Sequence, residues 1–118
     1  MDNLLRETLN VMDQFFKGPE NVDWVGSRDG SWAGSWEDFA EVADVEYDAG
    51  LGSAHVASDL VVVFDDRSWL ERHEYDGSEG WEYKALPTRE ADANPFRAVV
   101  STAAMWPDMH ELNAGDDE

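Results

Sequence analysis

The chain contains no cysteine and few basic residues. Only eight of its 118 residues are Lys or Arg, against 27 that are Asp or Glu. The absence of cysteine excludes disulfides, thiolate nucleophiles and Cys-ligated zinc. Because phosphates are bound by clustered Lys and Arg, eight scattered basic residues make nucleic acid and anionic lipid poor direct partners.

Long hydrophobic runs are also missing. No stretch approaches the roughly 20 apolar residues that a membrane span needs. The N-terminal residues lack the basic start and the apolar run of a secretory signal. We therefore expect a soluble protein that is not exported and has no membrane partner.

The chain is instead rich in acidic and apolar residues together. The formal net charge is −19, yet 42% of the residues are hydrophobic and six are Trp. This apolar content distinguishes the chain from acidic disordered sequences and suffices for a core. We expect one folded domain over residues 1–118, with residues 113–118 as a frayed acidic tail. Any partner recruited by charge should be basic.

Residues 3–17 are predicted to form an amphipathic helix. Asp2 or Asn3 would cap it, and the pair Gly18–Pro19 would end it. Lys17 would lie favourably at the negative end of the helix dipole. Apolar residues recur at helical spacing in two rows: Leu5, Leu9, Met12 and Phe16, and Leu4, Val11 and Phe15.

Residues 22–36 contain three glycines and the turn pair Asp29–Gly30. These features indicate local turns or a short hairpin. Ser35 and Asp38 have the spacing of a capping box for one or two helical turns.

Between residues 43 and 86 the pattern changes to a period of two, which predicts an antiparallel meander. Acidic residues at 44, 46 and 48 alternate with apolar ones, as in a half-buried strand. Leu60–Phe64 is continuously apolar, which is typical of a central strand covered on both faces. The turn pair Asp76–Gly77 joins two further strands, Ser68–Tyr75 and Gly80–Leu86.

Two registers are open for this last hairpin. A two-residue loop would place Glu71 opposite Glu82, which is unfavourable because like charges repel. A four-residue loop would pair Glu71 with Lys84 and His73 with Glu82, and we favour it for that reason. Arg72 is expected to make a cation–π contact with an aromatic residue of the facing strand. Both registers give the same two faces: Leu70, Arg72, Trp81, Tyr83 and Ala85 on one, and Trp69, Glu71, His73, Glu82 and Lys84 on the other.

A helix is also predicted near the C-terminus. Asn94 as cap and Pro95 at the first helical position precede apolar residues at helical spacing: Phe96, Val99, Val100, Ala103 and Ala104. A strand over residues 96–100 is the competing interpretation, and Met109 and Leu112 would add one helical turn. The predicted fold class is α+β: an antiparallel meander sheet of about four strands packed with an N-terminal and a C-terminal helix.

No motif for catalysis, metal binding or nucleotide binding is complete. The three histidines, His55, His73 and His110, are isolated in sequence and would have to converge to hold a metal. The acids at 44, 46 and 48 have calcium-loop spacing, but Ala49 stands where Gly is needed and His55 where a bidentate Glu is needed. Phosphate-binding glycine loops and a nucleophile elbow are absent. We expect a non-enzymatic protein without metal or cofactor.

The acidic residues are densest between residues 41 and 94, where the formal charge is −10. Carboxylates on alternate strand residues lie about 6.5 Å apart, because a strand rises about 3.3 Å per residue. Such a row can imitate one phosphate strand and compete for a cationic groove. The predicted partner contacts are nine of these acids: Asp44, Glu46, Asp48, Asp65, Asp66, Glu71, Glu74, Glu79 and Glu82.

Three segments resemble small acidic proteins encoded by bacteriophages: Ala43–Gly50, Ser58–Phe64 and Ser68–Pro87, the last containing the run Trp69–Glu79. In size and charge the chain is also similar to phage inhibitors of bacterial defence, the anti-CRISPR and anti-restriction proteins that imitate nucleic acid. Because such mimics do not share one fold, only the acidic patch is transferable. The resemblance implies an inhibitor in the host cytoplasm that binds a basic nucleic-acid-binding surface of a host protein or complex.

Three other interpretations stay open. Acidity with only two Lys is also what proteins of halophiles have, and folding would then need molar salt. A phage structural or assembly module would be found in purified virions. Convergence of the three histidines would indicate a small hydrolase or metal enzyme.

Overall fold

The computed structural model describes residues 2–48, 50, 55–103 and 105–114. The chain forms two compact units, Met1–Leu86 and Pro87–Glu118. The predicted α+β class is confirmed, with an N-terminal helix, antiparallel sheets and a short C-terminal helix. That the chain folds as one domain stays a prediction. No helix in the described part of the chain is both long and apolar enough to cross a membrane.

The first unit contains two helices and two antiparallel sheets. A five-stranded sheet has the order β3-β2-β5-β6-β7, and a separate two-stranded ribbon pairs β1 with β4. In chain order the elements are β1 (Asp2–Asn3), α1 (Leu4–Gln14), a 3-10 turn (Pro19–Asn21), β2 (Val22–Ser27), β3 (Ala33–Gly34), α2 (Trp36–Ala43), β4 (Glu46–Tyr47), β5 (Leu60–Phe64), β6 (Ser68–Tyr75) and β7 (Ser78–Ala85).

Helix α1 begins as predicted but ends earlier. The Asn3 side chain accepts a hydrogen bond from Arg6 N at 2.9 Å, which confirms the cap. At the other end Lys17 N donates to Met12 O, in the 6→1 pattern of a Schellman motif. Phe16, not Gly18, takes the left-handed position with φ 61°. The predicted end at Gly18–Pro19 was therefore wrong, because the backbone turns out of the helix two residues sooner.

The buried face of α1 also differs from the predicted rows. Leu4, Thr8 and Met12 are buried, whereas Leu9 is exposed and Phe16 is 93% exposed. The small polar Thr8 is accommodated because its hydroxyl donates to Leu4 O at 2.7 Å. A hydrophobicity pattern could not identify it as a core residue.

Residues 22–36 form a hairpin, as predicted, but its first strand is more than a local feature. Strand β2 lies inside the five-stranded sheet, between β3 and β5. Its Gly26 meets the returning chain so closely that a Cβ there would lie 1.9 Å from Trp32 O. The capping box is confirmed, since Ser35 Oγ accepts from Asp38 N at 3.0 Å and Asp38 Oδ2 from Ser35 N at 3.1 Å.

The alternating acids at 44, 46 and 48 do not lie on a strand of the meander. The capping box starts a helix that continues through Ala43, which is buried. Asp44 and Val45 follow without regular structure, and Glu46–Tyr47 pairs with Asp2–Asn3 instead of joining the large sheet. The prediction of a half-buried strand here was wrong, because α2 includes Ala43, Val45 is 51% exposed, and strand pairing is limited to Glu46–Tyr47. The central strand Leu60–Phe64 is confirmed.

The hairpin of β6 and β7 has the two-residue loop Asp76–Gly77, so our preferred four-residue loop was wrong. Glu71 lies directly opposite Glu82. Both loop residues have positive φ, 52° and 87°, as a type I′ turn requires. The geometry of the turn therefore decided the register.

The repulsion between Glu71 and Glu82 is relieved diagonally. Lys84 Nζ lies 3.6 Å from Glu71 Oε2, and His73 Nδ1 lies 3.6 Å from Glu82 Oε1. Diagonal neighbours on one face are close enough for such contacts. The two faces predicted for the hairpin are those observed.

The core lies where α1 and α2 cover one face of the large sheet. Its buried members come from both helices, the ribbon and three central strands: Leu4, Met12, Val25, Phe39, Ala43, Tyr47, Val62, Phe64 and Leu70.

In the second unit, residues 95–103 form neither the predicted helix nor the competing strand. The Ala98 carbonyl, which a helix would pair with residue 102, accepts from Asn113 Nδ2 at 3.1 Å. Helix α3 (Met109–Asn113) supplies the single turn expected around Met109 and Leu112. Asn113 is thus ordered by hydrogen bonds and does not belong to the predicted tail. Ala104 and residues 115–118 lie outside the described residues.

Candidate acidic interaction surface

The nine predicted contacts do not form one row. Asp65 and Asp66 lie in the turn that precedes β6, whereas Glu74 lies near its far end. The part of β6 between them, from Ser68 to Glu74, spans ~20 Å, at about 3.3 Å per residue. Glu71 and Glu82 lie between them, on the sheet face away from the core. A single strand of evenly spaced carboxylates is therefore not present.

Glu79 is buried and is unavailable to a partner. Its Oε1 lies 2.9 Å from Arg72 Nη2, and both side chains are only 4% exposed. Oε2 accepts from His55 N at 2.7 Å. Burial opposes ionisation of Glu79, but the hydrogen bonds from His55 N and Arg72 outweigh it, so its pKa lies below the usual value. Glu79 joins the hairpin to the segment that begins at His55.

Arg72 is the centre of a buried polar cluster beneath the sheet. Its guanidinium lies 4.7 Å from the Trp81 ring centroid, which confirms the predicted cation–π contact. Nη2 also donates to the Tyr47 hydroxyl at 3.1 Å, and that hydroxyl donates to Glu7. Burial, together with the bond to Glu7, raises the pKa of Tyr47 to about 12. Trp81 Nε1 donates to Thr8 Oγ1 at 2.8 Å, so the cluster joins α1, β4, β6 and β7.

Two more of the nine acids are engaged within the protein. Lys17 Nζ lies 2.6 Å from Asp66 Oδ2, and this bond with those from Ser68 lowers the pKa of Asp66 to about 2. Lys17 thus bonds to a turn of the sheet rather than to the end of α1, where we predicted its role. The hydrogen bond from Trp69 Nε1, at 2.9 Å, and the nearby charge of Lys84 lower the pKa of Glu71.

The remaining predicted acids have local roles of different kinds. Asp48 accepts from Gly50 N at 3.0 Å, and Glu74 accepts from Gly77 N at 2.8 Å in the hairpin turn. Asp65 is exposed at the β5–β6 turn.

Exposed acids without an ion-pair partner among the described residues are found on α2 and on the ribbon strand that follows it. Glu37 and Glu41 are exposed one turn apart on α2, and Asp44 follows at the helix end. Glu46 on β4 continues the series. The rise of about 1.5 Å per residue places Glu37 and Glu41 ~6 Å apart along the helix axis. We call these four residues, Glu37, Glu41, Asp44 and Glu46, the α2 acidic surface.

Half of this surface was predicted from the sequence. Asp44 and Glu46 were predicted as contacts, but Glu37 and Glu41 were not. The signal was available, because Glu37, Glu41 and Asp44 have the i, i+4, i+7 spacing of one helix face. It was missed because Asp44 was assigned to a strand, which separated it from Glu37 and Glu41.

No basic residue lies close to these four acids in the sequence. Between Arg28 and Arg67 there are ten Asp or Glu and no Lys or Arg. Within the described part of the first unit, none of the four surface carboxylates forms an ion pair. The negative charge of these four carboxylates is therefore exposed to solvent and is not neutralised by an ion pair within this unit.

An apolar groove runs along another face of α2, and of the four surface acids only Glu46 lines it. It has two lobes of about 550 Å³ each, which share Phe39, Val42, Ala57 and Leu60. One lobe reaches the β2–β3 hairpin at Trp32. Val42 is 74% exposed although it is a large apolar residue on a packed helix. The acids that line this exposed apolar strip are Asp38, Asp59 and Glu46.

No metal site accompanies this surface in the described residues, where no group of three or more His, Asp or Glu could hold a metal ion. Comparisons of the chain with family models, with curated proteins and with solved structures give no match.

Proposed function

We propose that this chain is a non-enzymatic acidic binding protein that occupies a basic nucleic-acid-binding surface of another protein and so excludes nucleic acid from it. The observation that carries the proposal is the α2 acidic surface, four exposed carboxylates without an ion-pair partner. A Lys- or Arg-lined groove gains affinity by pairing with phosphates. Carboxylates held on a helix and a ribbon offer it charge-assisted hydrogen bonds of similar strength.

The placement of these acids supports a role in binding rather than in folding. Glu41 and Asp44 lie toward the C-terminal end of α2, where the helix dipole is negative, and the last turn carries no basic residue. Acidic side chains there oppose the dipole and repel one another. Asp44 also has a structural contact, since its Oδ1 accepts from Asn3 Nδ2 at 2.9 Å, and Glu37 lies in the first turn, where the dipole favours an acid. Glu41 is therefore the acid whose position on the helix supports an external partner.

The resemblance to phage proteins suggests the biological setting. We propose that the partner is a nuclease or defence complex in the cytoplasm of a bacterial host, and that the chain acts as an anti-CRISPR or anti-restriction inhibitor. Charge steering would accelerate its association with such a partner and make that association dependent on salt.

Adaptation to high salt is a second candidate, and one observation favours it. Acidic residues are found at both ends of the large sheet as well as on α2, and the chain has only two Lys. If salt adaptation explains the acidity, folding should require molar KCl. A circular-dichroism titration from 0.05 to 3 M KCl distinguishes the two, because a binding protein should be folded throughout.

The experiment that tests the binding proposal compares two triple charge reversals. Glu37, Glu41 and Glu46 are changed to Lys in one variant, and three exposed acids elsewhere, Asp13, Asp65 and Glu82, in the other. Both variants change the net charge by the same amount. Each is used to capture bacterial lysate proteins at 50 mM and 500 mM salt, and captured proteins are assayed for loss of DNA or RNA binding.

We expect the α2 reversal to abolish capture and competition with nucleic acid, and the control reversal to reduce them only slightly. Equal losses in both variants would show that total charge matters and the α2 acidic surface does not. Undiminished capture by the α2 variant would reject the proposed site.

A further inference from the structure

The apolar groove along α2 is bordered by acids, and this combination defines the chemistry of what fits it. We infer that the groove docks a Lys/Arg-rich protein segment through one or two large apolar side chains, while basic residues of the segment pair with the acids at its rim. This inference rests on the proposed function and specifies how the partner is held.

The groove has the composition of a binding surface. Phe39, Val42, Ala57 and Leu60 form its shared floor, and Trp32 lies at one end, 79% exposed. An apolar centre surrounded by polar residues is typical of protein interfaces. Exposed Trp and large aliphatic residues at such a centre commonly supply most of the binding energy.

Charge decides which partner is accommodated. The acids that line the two lobes are Asp38, Asp59 and Glu46, and the other titratable residues are Tyr47 and His55. No Lys or Arg lines either lobe in the described residues. A second copy of this chain also carries −19 and would be repelled, and nucleic acid would be repelled for the same reason. A basic protein segment is the occupant that satisfies both the apolar floor and the acidic rim.

The walls of the groove are fixed before any partner arrives. Val56, on one wall, is held by the Glu79 carboxylate through its backbone N–H, and Glu79 is in turn held by Arg72. On the other wall, Gly26 permits the close approach of the chain at Trp32. A preformed groove loses little conformational entropy when a segment binds.

The test uses two synthetic 12-residue probes of equal charge. The first contains six Lys and two Leu four positions apart, and the second replaces both Leu with Ser. Affinities are measured by titration calorimetry at 50 mM salt, with Trp fluorescence as a second readout. Burying one or two Leu side chains should make the first probe bind about 10–100-fold more tightly.

Substitutions then locate the site. Val42→Asp should remove most of the preference for the Leu probe, even though it adds a negative charge that attracts Lys. Val100→Asp is the matched control, because Val100 is 75% exposed and lies in the other unit. Val42→Ser should lower the preference as well, and it keeps the experiment decisive if Val42→Asp does not fold.

The outcomes separate this inference from the proposed function. If neither probe binds, the attraction of the acidic surface for basic partners is refuted, and the groove inference falls with it. If both probes bind equally, or if Val100→Asp removes the preference as effectively as Val42→Asp, only the groove inference is wrong. A dimer that Val42→Asp dissociates, detected by sedimentation, would show that a second copy fills the groove and would also overturn it.

Discussion

Changing Glu79 to Gln removes half of a buried ion pair while keeping its shape. The pair with Arg72 is 2.9 Å long, and each side chain is only 4% exposed. Removing one partner of a buried pair leaves the other charge uncompensated, which costs about 3–5 kcal/mol. Arg72 is especially sensitive, because its Nε and Nη1 have no hydrogen-bond partner. The carboxylate that stays near it, Glu7 Oε1, is 3.8 Å from Nη1 and belongs to a side chain that is 25% exposed, so it compensates the charge only in part. We expect the free energy of unfolding of Glu79→Gln to fall by that amount.

The measurement is a urea titration followed by circular dichroism at pH 7, with thermal melting in parallel. A loss of 1 kcal/mol lowers the melting temperature of a domain of 60–100 residues by about 4–8 °C. The predicted loss therefore corresponds to at least ~12 °C. Glu82→Gln is the matched control, since Glu82 is on the same strand, is 46% exposed and lies 3.6 Å from His73. Its effect should stay within about 1 kcal/mol.

Both substitutions remove one negative charge, so any gain in stability from weaker repulsion among the acidic residues is the same in each variant. If Glu79→Gln and Glu82→Gln are equally stable, the buried ion pair of Arg72 and Glu79 does not stabilise the fold. Replacing both partners, Arg72→Met with Glu79→Leu, should recover most of the stability, because no charge is then left buried. A double variant less stable than Glu79→Gln would show that the hydrogen bonds to residues 55 and 56 matter more than the charge.

Two further predictions concern a turn and a helix end. The Lys17 bond holds the pKa of Asp66 at about 2 instead of 3.8. The stabilisation of the fold by the Asp66 carboxylate is therefore complete above about pH 4 and is lost as pH falls from 3.8 to 2. The wild type should be more stable than Asp66→Asn by no more than about 1 kcal/mol, because Asp66 is 47% exposed. This difference should disappear over that pH range in acid titrations monitored by circular dichroism. A difference that is constant with pH contradicts the assignment. Phe16→Gly should raise the free energy of unfolding, measured in urea, by up to about 1 kcal/mol, because Phe16 has φ 61° and is almost fully exposed. A lower free energy of unfolding would mean that the Phe16 ring makes contacts that matter more than the backbone strain.

Local interactions explain what could be predicted from the sequence. The Asn3 cap, the Ser35–Asp38 capping box and the central strand Leu60–Phe64 each depend on residues close together in the chain. The position of the turn at Asp76–Gly77 was predicted for the same reason, although a longer loop was preferred. Its register was predicted wrongly because the charges of Glu71 and Glu82 were weighed without their diagonal partners.

The acidic character and the α+β class follow from the sequence by itself, since charge is a count and element type follows from periodicity and caps. Only the tertiary structure decided which acids are accessible. Glu79 is buried because Arg72 and the backbone of residues 55–56 come to it from distant parts of the chain. Glu37 and Glu41, by contrast, form no ion pair within the described residues of the first unit. Burial and pairing are set by contacts between residues far apart in sequence, and no local pattern records them.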